Sequence, residues 1–277
     1  MTTLDDVTRW WGTSVSRIEP GVIEYRGRPV QDLIGSTSLV SAAWLLIRGS
    51  LPSPAQEALL EAALVAGADH GPQAPSIAAA RMAATCGVGL NTVVATGVGM
   101  LGDVHGGAGE QAVQLFGEIR EAERDGEDLA AATDRVLAAW QAKSRYVPGF
   151  GHRFHPVDPR RAPLLGMVAN AAEQQVVSGD YLRAALAVED ALNRGRSRPV
   201  PMNIDGATAV IYAELGFAPP LARGLFVLSR TIGILAHGWE ESQQGRRNKG
   251  PMPPPMLPAY LGEDAGDSDA GDSAVSG

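Results

Sequence analysis

Apolar residues recur at spacings of three and four through nearly the whole chain, which leaves little room for a sheet. In "LAAATDRVLAAWQAK", Leu129, Ala132, Val136 and Trp140 share one helical face, and "AVQLFGEIREAER" sets Val113, Phe116 and Ile119 opposite its charges. "YLRAALAVEDALNRG" repeats the pattern through Leu182, Leu186 and Leu192. "PSIAAARMAATCGVG" and "NTVVATGVGML" are rich in small residues and predict helices that pack closely. "LARGLFVLSRTIGILAHGWEE" is apolar nearly all round, which predicts a central buried helix. Alternation of the strand kind is confined to "GVIEYRG", a short hairpin. The fold class is therefore all-α.

The 277 residues are enough for one large domain or two unequal ones. "PMPPPMLP" cannot be helical and reads as an extended arm, and the acidic Gly/Ser/Asp stretch after it reads as disordered. That stretch holds five acids (Glu263, Asp264, Asp267, Asp269 and Asp272) and no base, so the rest of the chain carries only −3 of the formal −8. No basic face for nucleic acid is expected from such a balance. A single cysteine, Cys86, cannot form an intramolecular disulfide, which favours a reducing cytoplasm. "MTTLDDVTRWW" begins with acids rather than the basic and apolar start of a signal peptide. The most apolar long run, Leu221 to Trp239, contains Arg223, Arg230 and His237, so no membrane span is expected.

With helices this uniform, the informative residues are the polar ones that interrupt them. Asp69-His70-Gly71-Pro72 ends one helix, and Ser76 is placed to cap the next; His70 reads as a junction residue or a ligand contact. In "GDVHGGAGE", Gly106 and Gly107 allow a close approach to an anion at a helix start, and His105 stands at that mouth. The richest cluster is "VPGFGHRFHPVDPRR", where Gly149, Gly151, Pro156 and Pro159 frame His152, His155, Arg160 and Arg161. His152 and His155 lack further metal ligands at suitable spacing, so no metal site is expected. In "PMNIDGATAVIYAELG", Asp205 reads either as the helix N-cap or as a general base with a pKa raised by desolvation. Arg230, inside an apolar helix, needs a carboxylate or phosphate partner, from the protein or from a substrate. There is no phosphate-binding P-loop and no dinucleotide fingerprint.

In this order the clusters resemble the citrate synthase family. "GVIEYRGRPVQDLI" with "AAWLLIRGSLPS" is similar to its N-terminal signature, and "HGGAGE", "PGFGHRFHPVDPR", "NIDG" and "FVLSRTIGILAH" are similar to successive active-site segments, from about Thr13 to about Gln244. The resemblance implies an all-α homodimer in which a smaller mobile domain closes over the substrates. The large domain would comprise residues 1–106 and 217–261, the small domain 107–216, with an acidic tail at 262–277. It implies a coenzyme A thioester as substrate, no permanently bound cofactor, and a 2-oxo dicarboxylate such as oxaloacetate as the other partner. Asp205 would remove the α-proton of the acyl-CoA, His105 would hold the enolate oxygen, and His152 would polarise the oxo acid. His70, Arg160 and Arg230 fall where the family binds carboxylates; His155 and Arg161 are peripheral.

Two departures shape the expected reaction. Only the residues from Ser53 to His70 separate the Leu-Pro turn from the first active-site histidine, a compact arrangement similar to citryl-CoA lyases and to the lyase portion of ATP-citrate lyase. Where that lyase portion departs from the family at the "HGG" position, this chain keeps His105. The family's partner-subunit arginine falls at Gly250-Pro251, with Arg246, Arg247 and Lys249 nearby; Arg247 is the candidate substitute. The sequence thus favours a citryl-CoA lyase over a citrate or 2-methylcitrate synthase, with a non-catalytic CoA-ester-binding paralogue as the rival from another class.

Overall fold

A computed structural model of the chain describes residues 3–152, 156–253 and 255–262. His155 and the five tail acids lie outside the described residues. Twelve helices and three short strands make up the described fold. The helices are α1 (Leu4–Trp10), α2 (Val30–Leu33), α3 (Leu39–Arg48), α4 (Pro54–Gly67), α5 (Pro75–Ala84) and α6 (Leu90–Gly99), followed by α7 (Ala108–Arg124) and α8 (Leu129–Lys143). After them come α9 (Arg161–Glu173), α10 (Asp180–Asn193), α11 (Ile204–Glu214) and α12 (Pro219–Gln243). Strands β1 (Ser16–Glu19), β2 (Val22–Tyr25) and β3 (Arg28–Pro29) form one antiparallel meander, so the expected hairpin gains a third, two-residue strand.

Local chemistry sets several helix starts. Ser53 and Gln56 form a reciprocal capping box ahead of α4, with Pro54 at the first helical position, where its missing N–H costs nothing. Ser38 caps α3, and Asp128 accepts from the N–H groups of Ala130 and Ala131 to cap α8.

The principal core joins α3, α4 and α7 to α12, and a small second cluster (Ala74, Ile77, Ala80, Val93, Ile234) seals α5, α6 and α12. The small residues have the expected use. A Cβ on Gly97 would meet Ile234 at 2.6 Å, and one on Gly238 would meet Val93 at 2.5 Å, so these glycines set how closely α6 and α12 approach.

Two expectations about helix faces are corrected. The central helix is α11, in which Ile204 and every residue from Gly206 to Ala213 are buried. By contrast α12 buries one face and leaves Leu228, Ile232, Leu235 and Trp239 exposed. Apolar content reports that a face avoids water; it does not say which apolar helix lies at the centre. In α10 the buried residues are Ala184, Ala185, Val188 and Leu192, while Leu186 is exposed. There the small alanines fit against the neighbouring helices and turn the inward face away from Leu186. No described helix is long and apolar enough to cross a membrane.

Candidate active site

The polar clusters singled out in the sequence converge from four helix junctions and one helix interior. His70 lies in the α4–α5 turn, His105 in the α6–α7 loop and His152 in the α8–α9 loop, while Arg160 is the residue before α9. Asp205 is in the first turn of α11, and Arg230 is in the middle of α12.

Backbone pairing brings the His152 loop to the start of α11. Gly151 N–H donates to Pro201 O at 2.7 Å, Asn203 N–H donates to Gly149 O at 2.9 Å, and Asn203 Nδ2 donates to Gly151 O at 2.7 Å. The two chains touch at glycines: Gly149 has φ +85°, and a Cβ there would lie 2.7 Å from Gly206 Cα. Only glycine on both sides allows this approach, which holds the loop ending in His152 against the start of α11.

Asn203, not Asp205, caps α11: its Oδ1 accepts from Asp205 N–H at 2.9 Å and from Gly206 N–H at 3.3 Å. The N-cap reading of Asp205 is thereby removed, and its carboxylate is left for another purpose. The residue keeps a little exposed surface, and its carboxyl group is otherwise enclosed by protein. Burial pushes its pKa above the ordinary carboxylate range; Arg230 and Arg160 pull it back, and Asp158 adds to the rise.

Arg230 is 3% exposed. Its Nε donates to Gly67 O at 2.9 Å, and its guanidinium lies 4.8 Å from the Phe226 ring centroid. Among the described residues no carboxylate forms an ion pair with it, so the partner expected from the sequence is not supplied by these side chains. Burial lowers its pKa, opposed by the charges of Asp205 and Asp69, with Arg160 adding to the lowering.

Arg160 behaves differently. Its Nε and Nη2 each lie 2.9 Å from an oxygen of Asp158, and its Nη1 donates to Ala66 O at 3.2 Å. The fork that was expected to grip a substrate anion is thus taken by Asp158, which is 1% exposed and also accepts from Ile204 N–H at 3.0 Å. Burial pushes Asp158 up, but the bonds from Arg160 and Ile204 outweigh this and hold it ionised, below its usual pKa. Arg161 is paired with Glu189 on α10.

The pKa values of two of the histidines are lowered. The rings of His70 and His152 stand 5.8 Å apart, nearly edge to face. Burial lowers the His70 pKa, and so do Arg230, Arg160 and His152, with Asp158 opposing. His105 is lowered by burial and then by Arg230. Ser76 N–H donates to His105 Nε2 at 3.2 Å, so Nε2 is an acceptor and the ring proton belongs to Nδ1; Ser76 Oγ lies 3.0 Å from the same nitrogen. Ser76 was expected to cap α5. That N-cap position belongs to Ala74, and the Ser76 side chain serves His105 instead. Arg223 braces the His105 loop from α12, donating to Asp103 at 2.6 Å and forming an ion pair with Glu110.

Arg247 does not join this group. It is exposed, makes no ion pair among the described residues, and is not among the charges acting on His105 or Asp205. Lys249 is committed to Glu241 at 3.0 Å, and Arg246 lies 3.8 Å from the same carboxylate.

Charge accounting follows from these pairs. Asp158 pairs with Arg160, and the pKa values of His70 and His105 are lowered. Arg230 has no ion pair among the described residues, only the longer-range charges of Asp205, whose own pKa is raised, and Asp69. The surroundings of Arg230 therefore favour an anion.

Comparison with known proteins identifies the fold and the family. The family model of the citrate synthase C-terminal domain matches residues 52–250. The structure of citryl-CoA lyase from Hydrogenobacter thermophilus superposes with a TM-score of 0.79 at 30% identity, covering 92% of this chain and 95% of that one. ATP citrate lyase from Methanothrix soehngenii shares the fold, with a TM-score of 0.78 at 22% identity over 92% of this chain and 42% of that one. Citrate synthase from Haloferax volcanii is 27% identical over 202 residues, 73% of this chain and 51% of its own length. The chain spans about half the length of the curated relatives it matches. It belongs to the citrate synthase family.

Proposed function

We propose that the protein is a citryl-CoA lyase, cleaving (3S)-citryl-CoA to acetyl-CoA and oxaloacetate. The observation that carries this reading is the grouping of a buried, carboxylate-free Arg230 with Asp205, His105, His152 and His70. In the cleavage direction His152 takes the proton of the tertiary hydroxyl. The carbonyl of oxaloacetate forms as the carbon–carbon bond breaks, and its electron pair moves onto the thioester oxygen. Nδ1–H of neutral His105 donates to that enolate oxygen, a contribution of about 3–4 kcal/mol by comparison with oxyanion holes. Asp205 then delivers a proton to the α-carbon, and its raised pKa keeps that proton available. Arg230 and His70 receive the oxo-acid carboxylates, and Arg160, held by Asp158, supports them with its charge. In this reading citryl-CoA is the substrate, the acyl-CoA and the 2-oxo dicarboxylate are its products (substrates only in the condensation direction), and no permanently bound cofactor is needed.

A homodimer is part of the reading: the exposed ridge of Leu228, Ile232, Leu235 and Trp239 on α12 supports one, and exposed Arg247 is then available to a neighbouring site. Closure of residues 107–216 over the substrates is proposed on the same resemblance. The full-length coverage of a compact citryl-CoA lyase supports cleavage over condensation. A synthase is favoured by one observation, that the curated relatives matched are citrate synthases. The two are separated by incubating the protein with (3S)-citryl-CoA, and in parallel with acetyl-CoA plus oxaloacetate, and following products by mass spectrometry. Acetyl-CoA and oxaloacetate from the first mixture, without citrate and free CoA, are expected. Citrate and free CoA from both mixtures would make the protein a synthase.

A further inference from the structure

The turn that carries His70 is held from behind by a chain of side chains outside the reaction described above. His237 on α12 places Nε2 3.2 Å from Asp69 Oδ1 and Nδ1 3.3 Å from Arg81 Nη1. A guanidinium only donates, so Nδ1 accepts and the ring proton sits on Nε2, facing the carboxylate. Asp69 Oδ2 in turn accepts from Gly71 N–H at 3.2 Å. Burial pushes the Asp69 pKa up, but the bonds from His237 and from the backbone of Gly71 and His70 outweigh it, leaving the group below its usual value. The carboxylate thus fixes the backbone on both sides of His70. Gly233, one turn before His237 on α12, anchors the same turn by donating its N–H to Ala68 O at 3.1 Å.

Arg81 is itself fixed. It pairs with Glu240 at 3.1 Å and with Glu241, whose side chain is covered entirely by its partners. Glu241 also holds Lys249 Nζ at 3.0 Å, and Lys249 N–H donates to Thr85 Oγ1 at 2.9 Å. A polar chain therefore runs Lys249–Glu241–Arg81–His237–Asp69 and ends at the turn of His70.

We infer that His237 is a positioning residue for His70: by spanning Arg81 and Asp69 it fixes the turn whose imidazole meets the oxo-acid carboxylate. The inference rests on the reading that His70 binds that carboxylate. Two substitutions separate the ring's nitrogens from its bulk. His237→Phe keeps the ring volume and removes both nitrogens, whereas His237→Gln retains a donor for Asp69 and an acceptor for Arg81; His237→Ala replaces the Phe variant if that one does not fold. Kinetics with (3S)-citryl-CoA should show KM raised roughly tenfold in His237→Phe, the loss expected for one charge-assisted hydrogen bond. The change in kcat should be smaller, because a carboxylate contact is made equally in ground and transition states. His237→Gln should restore KM to within about threefold.

An independent readout is the imidazole spectrum of protein labelled with 15N-histidine: the His70 resonances should shift in His237→Phe and return in His237→Gln. If the parent protein turns over no citryl-CoA, the catalytic reading falls while the spectra still decide the positioning. Unchanged KM and unchanged His70 resonances in His237→Phe, or a Gln variant as defective as the Phe one, would overturn the inference.

Discussion

The contact between Gly149 and Gly206 makes the sharpest stability prediction. Alanine at Gly149 must hold φ near +85°, a left-handed conformation costing about 1–2 kcal/mol for a residue with a Cβ. The new Cβ would also lie 2.7 Å from Gly206 Cα and 3.2 Å from the Ala112 methyl, and overpacking of this kind costs about 1–3 kcal/mol. The backbone cannot retreat freely, because Gly149 O accepts Asn203 N–H and so ties the loop to α11. Alanine gains roughly 0.4–1 kcal/mol by restricting the unfolded chain. The net expectation for Gly149→Ala is thus a loss of about 1–5 kcal/mol. Gly126 is the internal control: its φ is +97°, but a Cβ added there would meet nothing within 4 Å. Gly126→Ala meets the conformational cost alone, so it should lose no more than about 1.5 kcal/mol. Urea unfolding followed by circular dichroism at 222 nm measures both variants against the parent. Equal losses for the two, or a Gly149→Ala loss under about 0.5 kcal/mol, would refute the close-approach argument.

Three further outcomes are expected. Asp205 has a folded pKa above the unfolded reference of 3.8, so its ionisation costs stability as pH rises above that reference; Asp205→Asn should melt at a higher temperature than the parent at pH 7, and the gain should fade as pH falls toward 3.8. A lower melting temperature for Asp205→Asn at pH 7 in calorimetry would contradict this. Ser76→Ala keeps the backbone N–H on His105 but removes the hydroxyl, a change of about 0.5–1.5 kcal/mol, so kcat/KM should fall about two- to tenfold without loss of fold. Arg230→Lys keeps the charge but not the planar fork; titration calorimetry with oxaloacetate should show a Kd raised about ten- to hundredfold, and an unchanged Kd would remove Arg230 from the anion site.

Much of this molecule was legible in the sequence, at the level of helices and of which polar residues converge. Periodicity located α7, α8 and α10, and glycine-, proline- and histidine-containing breaks pointed to the candidate site, because a uniform helical chain has few other places for polar chemistry. What escaped was burial and partnership. Leu228, Ile232, Leu235 and Trp239 are as apolar as a core stripe, and nothing local distinguishes a face awaiting another surface from one already packed. Asn203 precedes Asp205 by two residues and is the better cap, a signal present in "MNIDG" but overshadowed by the aspartate. Asp158 sits two residues before Arg160, a spacing that allows both the turn and the ion pair. The bonds from Ser76 to His105 and from His237 to Asp69 join residues far apart in sequence, and no spacing rule reports them.

The central claim is that Asp205 moves the proton at the α-carbon while Arg230 and the histidines hold the rest of the substrate. It is tested most directly by comparing cleavage of (3S)-citryl-CoA by the parent and by Asp205→Asn, with circular dichroism confirming that both are folded. The account predicts acetyl-CoA and oxaloacetate from the parent and a loss of at least about a hundredfold in the variant, within the range of general acid–base catalysis. Near-parental turnover by a folded Asp205→Asn would contradict it.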